Sequence, residues 1–135
     1  MEYWGILTVR SKSTRLPNKC WLKLSDTPIL HFVVNRCMQN GLLPIVCTTE
    51  LPEDNLIEEY FSHLNVPVFR GDALNKLKRW LDCAIRYNLE NFHTIDVDDP
   101  FFDPNAVKVS LERLRSEKLD VVHPTTISSE GAASV

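Results

Sequence analysis

The chain has 135 residues, of which 44% are hydrophobic and 24% are charged, and its formal net charge at pH 7 is −3. This composition predicts a single globular domain over residues 1–135 with a hydrophobic core. The acidic balance supplies no basic field for nucleic acid, and no apolar stretch is long enough to span a membrane, so we expect neither partner. Because no leader sequence is visible and the four cysteines form no CxxC motif, we expect a cytoplasmic protein with free, buried thiols.

Short apolar segments alternate with amphipathic segments along the chain. We predict strands over residues 3–9, 43–47, 66–69, 92–97 and 120–123. We predict helices from Asp26 to a stop at Gly41, over 52–64, over 73–89 and from an N-cap at Asp103 onwards. Helical spacing assigns to the third helix an apolar stripe of Leu74, Leu77, Leu81, Ala84 and Ile85. The last residues, 125–135, have little to bury, and we expect them to fray.

This alternation predicts an α/β domain with a mostly parallel sheet and right-handed crossovers. Ligands of such sheets bind outside the carboxyl ends of the strands. The first predicted strand leads into Arg10, and the fourth leads into Asp98. We therefore expect these two strand ends to contribute to one binding site.

Basic side chains are concentrated around the loop that follows the first strand. Residues 1–25 contain five basic side chains and one acid, although the whole chain is acidic. The loop has no glycine between Gly5 and Gly41, so it is neither a P-loop nor a dinucleotide-binding loop. Side chains are expected to hold an anion such as a triphosphate instead, namely Arg10, Lys12, Ser13, Thr14, Arg15 and Lys19. The alternative is a basic loop that only faces solvent.

Acidic side chains form a second cluster, because four aspartates and no basic residue occupy residues 96–103. Mg²⁺ prefers one or two protein carboxylates together with substrate phosphate oxygens, and Asp98 is placed for this role just past a strand. Asp103 is interpreted as a helix N-cap and Asp99 as a turn residue. Asp96 lies within the predicted strand, and the sequence leaves its role undecided.

The segment TVRSKSTRLPNK, residues 8–19, resembles the signature of the sugar cytidylyltransferases, commonly written Ala-Arg-x-x-Ser-Thr-Arg-Leu-Pro-Gly-Lys. Asn18 replaces the family glycine, which is a mild change because asparagine tolerates left-handed backbone. Further segments resemble the family in the same order: VPVFRG and NKLKRW within residues 66–80, and TIDVDDPFFDP over residues 94–104. Spore-coat polysaccharide cytidylyltransferases look most similar, with acylneuraminate and Kdo (3-deoxy-manno-octulosonate) cytidylyltransferases as more distant relatives.

The resemblance implies a Rossmann-like three-layer sandwich of the nucleotide-diphospho-sugar transferase type. It implies that CTP and a sugar, expected to be an acidic nonulosonate-type sugar, give a CMP-sugar and pyrophosphate with Mg²⁺ as cofactor. Catalytic roles fall on Arg10 and Lys19, and Asp98 falls on the metal-binding aspartate. Nucleotide and phosphate binding is assigned to Arg10, Ser13, Arg15 and Lys19. Substrate binding is expected of Arg70 and Asn75.

Members of this family usually run well beyond 135 residues, so we expect the chain to be C-terminally shortened and to lack part of the sugar pocket. One alternative is therefore a catalytically deficient fragment that binds nucleotide or self-associates. Another alternative is a nucleotidyltransferase that uses a different nucleoside triphosphate. The partners expected are CTP, a sugar and a second copy of the chain in a homo-oligomer, most simply a dimer.

Overall fold

The computed structural model describes residues 2–12 and 18–122, and within these ranges the chain forms six strands and four α-helices. The strands are β1 (Trp4–Thr8), β2 (Lys23–Leu24), β3 (Thr27–Pro28), β4 (Leu43–Thr49), β5 (Val68–Gly71) and β6 (His93–Asp96). The helices are α1 (Ile29–Gln39), α2 (Asn55–Phe61), α3 (Lys76–Arg86) and α4 (Pro104–Ser116). Two single turns of 3₁₀-helix lie at Lys19–Trp21 and Pro52–Asp54.

Four strands form a parallel sheet in the order β5-β4-β1-β6, which confirms the predicted α/β class. In the register of this sheet, Ile6 of β1 lies opposite Ile45 of β4 and opposite Thr94 of β6. The apolar sequence of β1, WGILT, suits an interior strand that is covered on both faces. At the last register position Thr8 pairs with Asp96, so β1 and β6 end side by side at one edge of the sheet.

Helices cover both faces of the sheet and produce the predicted three-layer sandwich. The layer that contains α1, α2 and α4 packs in a cluster with the strand residues Leu7, Val46 and Ile95. The opposite face is covered by α3, which packs in a smaller cluster with Ile6, Ile45 and Cys47. No helix in residues 2–12 and 18–122 combines the length and the apolar character that crossing a membrane requires.

Two helix ends follow the capping residues expected from the sequence. Asp103 accepts the N–H of Asn105 at 2.9 Å, directly before Pro104 at the first helical position of α4. Gly41 follows α1 with a φ of 77°, a conformation that strains residues with a Cβ. The start of α1 was predicted too early, because residues 23–24 and 27–28 pair as an antiparallel ribbon before the helix begins at Ile29.

The apolar stripe predicted for α3 faces outward rather than toward the sheet, apart from Ala84. Leu77, Leu81 and Ile85 are 70%, 58% and 68% exposed. The buried side of α3 carries Trp80, Cys83 and Ala84, with Arg79 beside them. Both sets of residues have helical spacing, so periodicity alone does not decide which side the sheet covers. The buried side places the Trp80 indole N–H 2.8 Å from the hydroxyl of Thr8, which gives the ring both packing and a polar partner.

The fifth predicted strand is wrong for the part of it that is described, since residues 120–122 form no strand. A strand requires that its backbone groups pair with a neighbour, and within the described residues β6 pairs with β1 alone. Val121 is also exposed, so its side chain gains little from packing against the sheet. His123 and the tail at 125–135 lie outside the described residues.

Candidate functional site

The basic loop after β1 is anchored at both of its described ends. The backbone N–H of Ser11 donates to a carboxylate oxygen of Asp54 at 2.7 Å, and the N–H of Asn18 donates to the carbonyl of Ser11 at 2.7 Å. Asn18 has a φ of 61°, so it adopts the left-handed conformation for which glycine is favoured at this position. Three residues predicted to hold an anion, Ser13, Thr14 and Arg15, lie outside the described residues.

Asp54 anchors the loop of the site, although nothing in the sequence pattern singles it out. It precedes α2, where an acid is expected to act on the exposed helix end. In the structure its side chain is fully buried and also accepts a hydrogen bond from the Thr49 hydroxyl. The carboxylate therefore joins the end of β4 to the first residues of the basic loop and fixes where that loop begins.

A cavity of about 370 Å³ opens where β1 and β6 end. Its basic wall is made by Arg10, Lys19, Lys76 and Arg79. Its acidic wall is made by Asp96 and Asp98. Thr8, Val9, Cys20, Ala73, Leu74 and Val97 complete the lining. The structure thus brings together Arg10 and Lys19 of the basic cluster with Asp96 and Asp98 of the acidic cluster, as expected for two strands that end at one edge. Lys12, Asp99 and Asp103 do not line the cavity.

Lys19 and Asp98 contact each other directly across the mouth of this cavity. The Lys19 Nζ lies 3.1 Å from Asp98 Oδ1, and the two side chains are 40% and 71% exposed. An ion pair this exposed contributes at most about 1 kcal/mol to stability. The pair can therefore separate at little cost in stability, which leaves both charged groups available to a ligand.

The two residues predicted to bind substrate, Arg70 and Asn75, do not line the cavity. The Arg70 guanidinium donates to the backbone carbonyls of Thr49 and Leu51, at 2.8 and 2.7 Å. Asn75 is the N-cap of α3, where its side-chain oxygen accepts the N–H of Lys78 at 3.0 Å. Both residues hold the local backbone in place, and their roles in substrate binding stay predictions.

Four polar or charged lining residues had no assigned role from the sequence, namely Thr8, Lys76, Arg79 and Asp96. For Thr8 and Asp96 the signal was available, because both stand at strand ends on the carboxyl edge of the sheet. For Arg79 the pattern was misleading, because the predicted apolar stripe of Leu77 and Leu81 implied that Arg79 faces away from the sheet.

Thiol chemistry is not favoured in this cavity. The four cysteines are free and buried, as predicted. Burial raises the pKa of the Cys20 thiol, which lines the cavity, to about 11. A thiol with this pKa is almost entirely protonated at neutral pH and is a poor nucleophile.

The acidic wall suits a metal that completes its shell with ligands other than protein side chains. Within the described residues, no group of three His, Cys, Asp or Glu side chains is arranged to hold a metal ion. Mg²⁺ binds through one or two carboxylates and takes its other ligands from phosphate oxygens and water. Asp96 and Asp98, which face the basic wall, fit that requirement.

Residues 4–132 match the family described as Cytidylyltransferase. The chain belongs to the cytidylyltransferase family. An uncharacterized protein of Methanocaldococcus jannaschii, MJ1063, is 33% identical over 129 residues, which is 94% of this chain and 53% of that protein. The spore coat polysaccharide biosynthesis protein SpsF of Bacillus subtilis is 25% identical over 113 residues, 79% of this chain and 47% of that protein.

Other comparisons agree with this family. A 3-deoxy-manno-octulosonate cytidylyltransferase of Coxiella burnetii is 25% identical over 117 residues, covering 84% of this chain and 47% of that enzyme. A solved cytidylyltransferase structure from Leptospira borgpetersenii superposes with a TM-score of 0.73 at 30% identity, covering 90% of this chain and 52% of that one. The Rossmann-like fold and the predicted family are confirmed. The chain spans about half the length of the relatives that it matches.

Proposed function

We propose that the cavity at the ends of β1 and β6 binds CTP and that the chain acts in the transfer of its cytidylyl group to a sugar. One observation carries the proposal: in this member of the cytidylyltransferase family, a single cavity of about 370 Å³ is lined by Arg10, Lys19, Asp96 and Asp98. Cations and carboxylates that line one cavity suit a polyanion, because the cations bind it directly and the carboxylates bind it through a metal ion. The sugar is proposed to be acidic, because the chain resembles enzymes that activate such sugars.

In the proposed reaction a sugar hydroxyl oxygen attacks the α-phosphorus of CTP. The bond from this phosphorus to the bridging oxygen breaks, pyrophosphate leaves, and the hydroxyl proton is released. The protein positions the two reactants and neutralises charge on the leaving group. Arg10 and Lys19 are proposed to hold the triphosphate and the departing pyrophosphate, together with Ser13 and Arg15. Asp98, with Asp96 beside it, is proposed to hold Mg²⁺, which when bound neutralises phosphate charge.

Steady-state release of pyrophosphate from the purified chain tests this function. The reaction contains CTP, Mg²⁺ and a panel of acidic sugars, and parallel reactions replace CTP with UTP, ATP or GTP. Release that depends on both CTP and one sugar supports the proposal. Equal or faster release with another nucleotide contradicts the assignment to CTP.

The main alternative is a fragment that binds nucleotide without turnover. The chain spans about half the length of the relatives that it matches. Losing the alignment of the two reactants forfeits up to about 7–11 kcal/mol of barrier lowering. CTP binding with pyrophosphate release at background would favour the fragment, whereas turnover on the order of 10 s⁻¹, a typical enzyme value, would exclude it.

Asp98→Asn tests the proposed metal ligand, because it keeps the shape of the side chain and removes its charge. We expect it to weaken CTP binding in the presence of Mg²⁺ much more than binding in EDTA. Asp99→Asn is the matched control, since Asp99 does not line the cavity. Equal Mg²⁺-dependent binding by wild type and Asp98→Asn, with a loss in Asp99→Asn, would contradict the assignment.

Self-association is also proposed, as a homodimer. The outward side of α3 supports it, because Leu77, Leu81 and Ile85 form an exposed apolar row, and the exposed Leu74 just before the helix lines the cavity. Sedimentation velocity over a range of protein concentrations tests it. A chain that remains monomeric at the highest soluble concentration contradicts it.

A further inference from the structure

Arg79 is a buried cation that the described part of the chain does not pair. The residue is 5% exposed. Its Nε and Nη1 atoms are buried and have no hydrogen-bond partner among residues 2–12 and 18–122. Buried guanidinium groups are almost always hydrogen-bonded to an acid or to carbonyl oxygens, because an unpaired buried charge is strongly unfavourable. Arg79 is therefore the polar group in the structure that most requires an external partner.

The side chain of Arg79 lines the cavity, and its stem packs against the end of β5. Gly71, at the end of β5, lies against the stem: a Cβ added there would come within 3.0 Å of Arg79 Cγ. A larger residue at Gly71 would thus displace the arginine. The pKa of the buried Cys47 thiol is lowered, chiefly by a hydrogen bond with Cys83 and also by the nearby positive charge of Arg79.

The acids near Arg79 are engaged with other groups. The positive charge of Arg79 makes a small contribution to the lowered pKa of Asp72, but the two side chains form no ion pair. The Asp72 Oδ1 instead accepts the N–H groups of Leu74 and Asn75, at 2.9 and 2.7 Å. In the same cavity Asp98 contacts Lys19. Arg79 thus brings to the lining of the cavity a guanidinium whose Nε and Nη1 are paired with neither of these carboxylates.

We infer that Arg79 is an anion-binding residue of this cavity and that its ligand is the polyphosphate of the bound nucleotide. The inference rests on the proposed function, which brings a triphosphate into the same cavity. A guanidinium binds phosphate oxygens through two parallel hydrogen bonds and exceeds lysine in geometric selectivity. Arg79 would complete a phosphate site that Arg10 and Lys19 begin, and it approaches from α3 rather than from the loop after β1.

An anionic partner fits Arg79 better than a neutral one, because only an anion neutralises the buried charge. Two sources of anion are available in the proposed reaction, the polyphosphate and the carboxylate of an acidic sugar. Arg79 shares its cavity with Arg10 and Lys19, and such a density of cations matches several negative charges rather than one. This comparison favours the polyphosphate.

The test is calorimetric titration of wild type, Arg79→Met and Arg79→Lys with CTP, pyrophosphate, cytidine and an acidic sugar alone. Arg113→Gln is the matched control, because it removes one positive charge from an exposed position on α4, away from the cavity. Thermal unfolding of each ligand-free variant is measured in the same buffer. Charge-assisted hydrogen bonds of about 1.5–3 kcal/mol correspond to roughly a 10- to 150-fold change in affinity.

We expect Arg79→Met to weaken CTP and pyrophosphate binding at least tenfold and to leave weak cytidine binding unchanged. Its ligand-free midpoint should equal or exceed that of wild type, because an unpaired buried charge has been removed. Arg79→Lys should retain part of the affinity, and Arg113→Gln should bind like wild type. A lower midpoint with all ligands weakened alike would mean that Arg79 has a structural role, and it would overturn the inference.

Two further outcomes separate this inference from the proposed function. If Arg79→Met binds CTP and pyrophosphate within twofold of wild type, or loses only the acidic sugar, the inference is wrong and the proposed function stands. If Arg79→Met loses the pyrophosphate binding of wild type, but wild type binds CTP no more tightly than UTP, ATP or GTP, the inference stands and the CTP assignment is wrong. If wild type binds neither ligand at millimolar concentration, both are wrong.

Discussion

Replacing Asp54 with alanine should destabilise the fold far more than its position beside a surface helix suggests. The carboxylate is fully buried and accepts two hydrogen bonds, from the Ser11 N–H at 2.7 Å and from the Thr49 hydroxyl. Asp54→Ala leaves both donors without their acceptor. Each unsatisfied buried donor costs about 1–3 kcal/mol, so we expect a total of about 2–6 kcal/mol. Domains of this size are typically stable by about 5–15 kcal/mol, so the loss is a large fraction.

Urea unfolding followed by circular dichroism measures this loss. With a slope of about 1–3 kcal/mol per M, the expected destabilisation lowers the midpoint by roughly 1 M or more. Asp54→Asn should cost less, because the amide retains one oxygen for Ser11 and its NH₂ can donate to the Thr49 hydroxyl. Glu53→Ala, at the adjacent and partly exposed position, should change stability by no more than about 0.5 kcal/mol. An Asp54→Ala variant as stable as Glu53→Ala would refute the proposed anchoring of the loop.

Three further changes have expected results. Asp103→Ala should cost about 1 kcal/mol as a lost N-cap, and calorimetry should find Mg²⁺-dependent CTP binding unchanged. Burial lowers the pKa of His93 below its usual 6.5, so the unfolded chain takes up a proton first as the pH falls. The contribution of neutral His93 to the free energy of unfolding should therefore be fully present above pH 6.5 and should decline below it by up to about 1.4 kcal/mol per pH unit. Urea unfolding of His93→Asn should show a shallower decline than wild type between pH 6.5 and 5.5. Leu77→Lys should reduce self-association in sedimentation velocity, with the exposed Leu56→Lys on α2 as control.

The parallel sheet and the position of the site could be predicted from sequence because both depend on local signals. Apolar strands such as residues 43–47 alternate with amphipathic helices, and polar residues mark where each strand ends. Since parallel strands end at a common edge, the order of Arg10 and Asp98 along the chain was enough to place them at one cavity. The cap at Asp103 and the left-handed Asn18 were equally local and were correct.

The errors arose where the outcome depends on contacts between distant parts of the chain. On α3, Leu77 and Leu81 have the same helical spacing as Trp80 and Ala84. The side that is buried packs against β1 and β4, and Trp80 also finds a hydrogen-bond partner there in Thr8. Asp54 looks like an ordinary acid near a helix start until Ser11, 43 residues earlier, is brought against it. The predicted strand at 120–123 required pairing with a neighbour, which a periodic pattern cannot establish.

The most direct test of the central claim is a calorimetric titration of Mg²⁺ and CTP into wild type and Lys19→Ala. Lys19 lines the cavity and contributes only an exposed ion pair to stability, so its loss should leave the ligand-free fold intact. We expect wild type to bind CTP, and saturation at about 100 times the dissociation constant should add roughly 2.7 kcal/mol to its stability. Lys19→Ala should lose most of this binding while it unfolds at nearly the wild-type temperature. No heat of binding from wild type with any nucleotide at millimolar concentration would mean that the cavity is not a nucleotide site and that the basic loop only faces solvent.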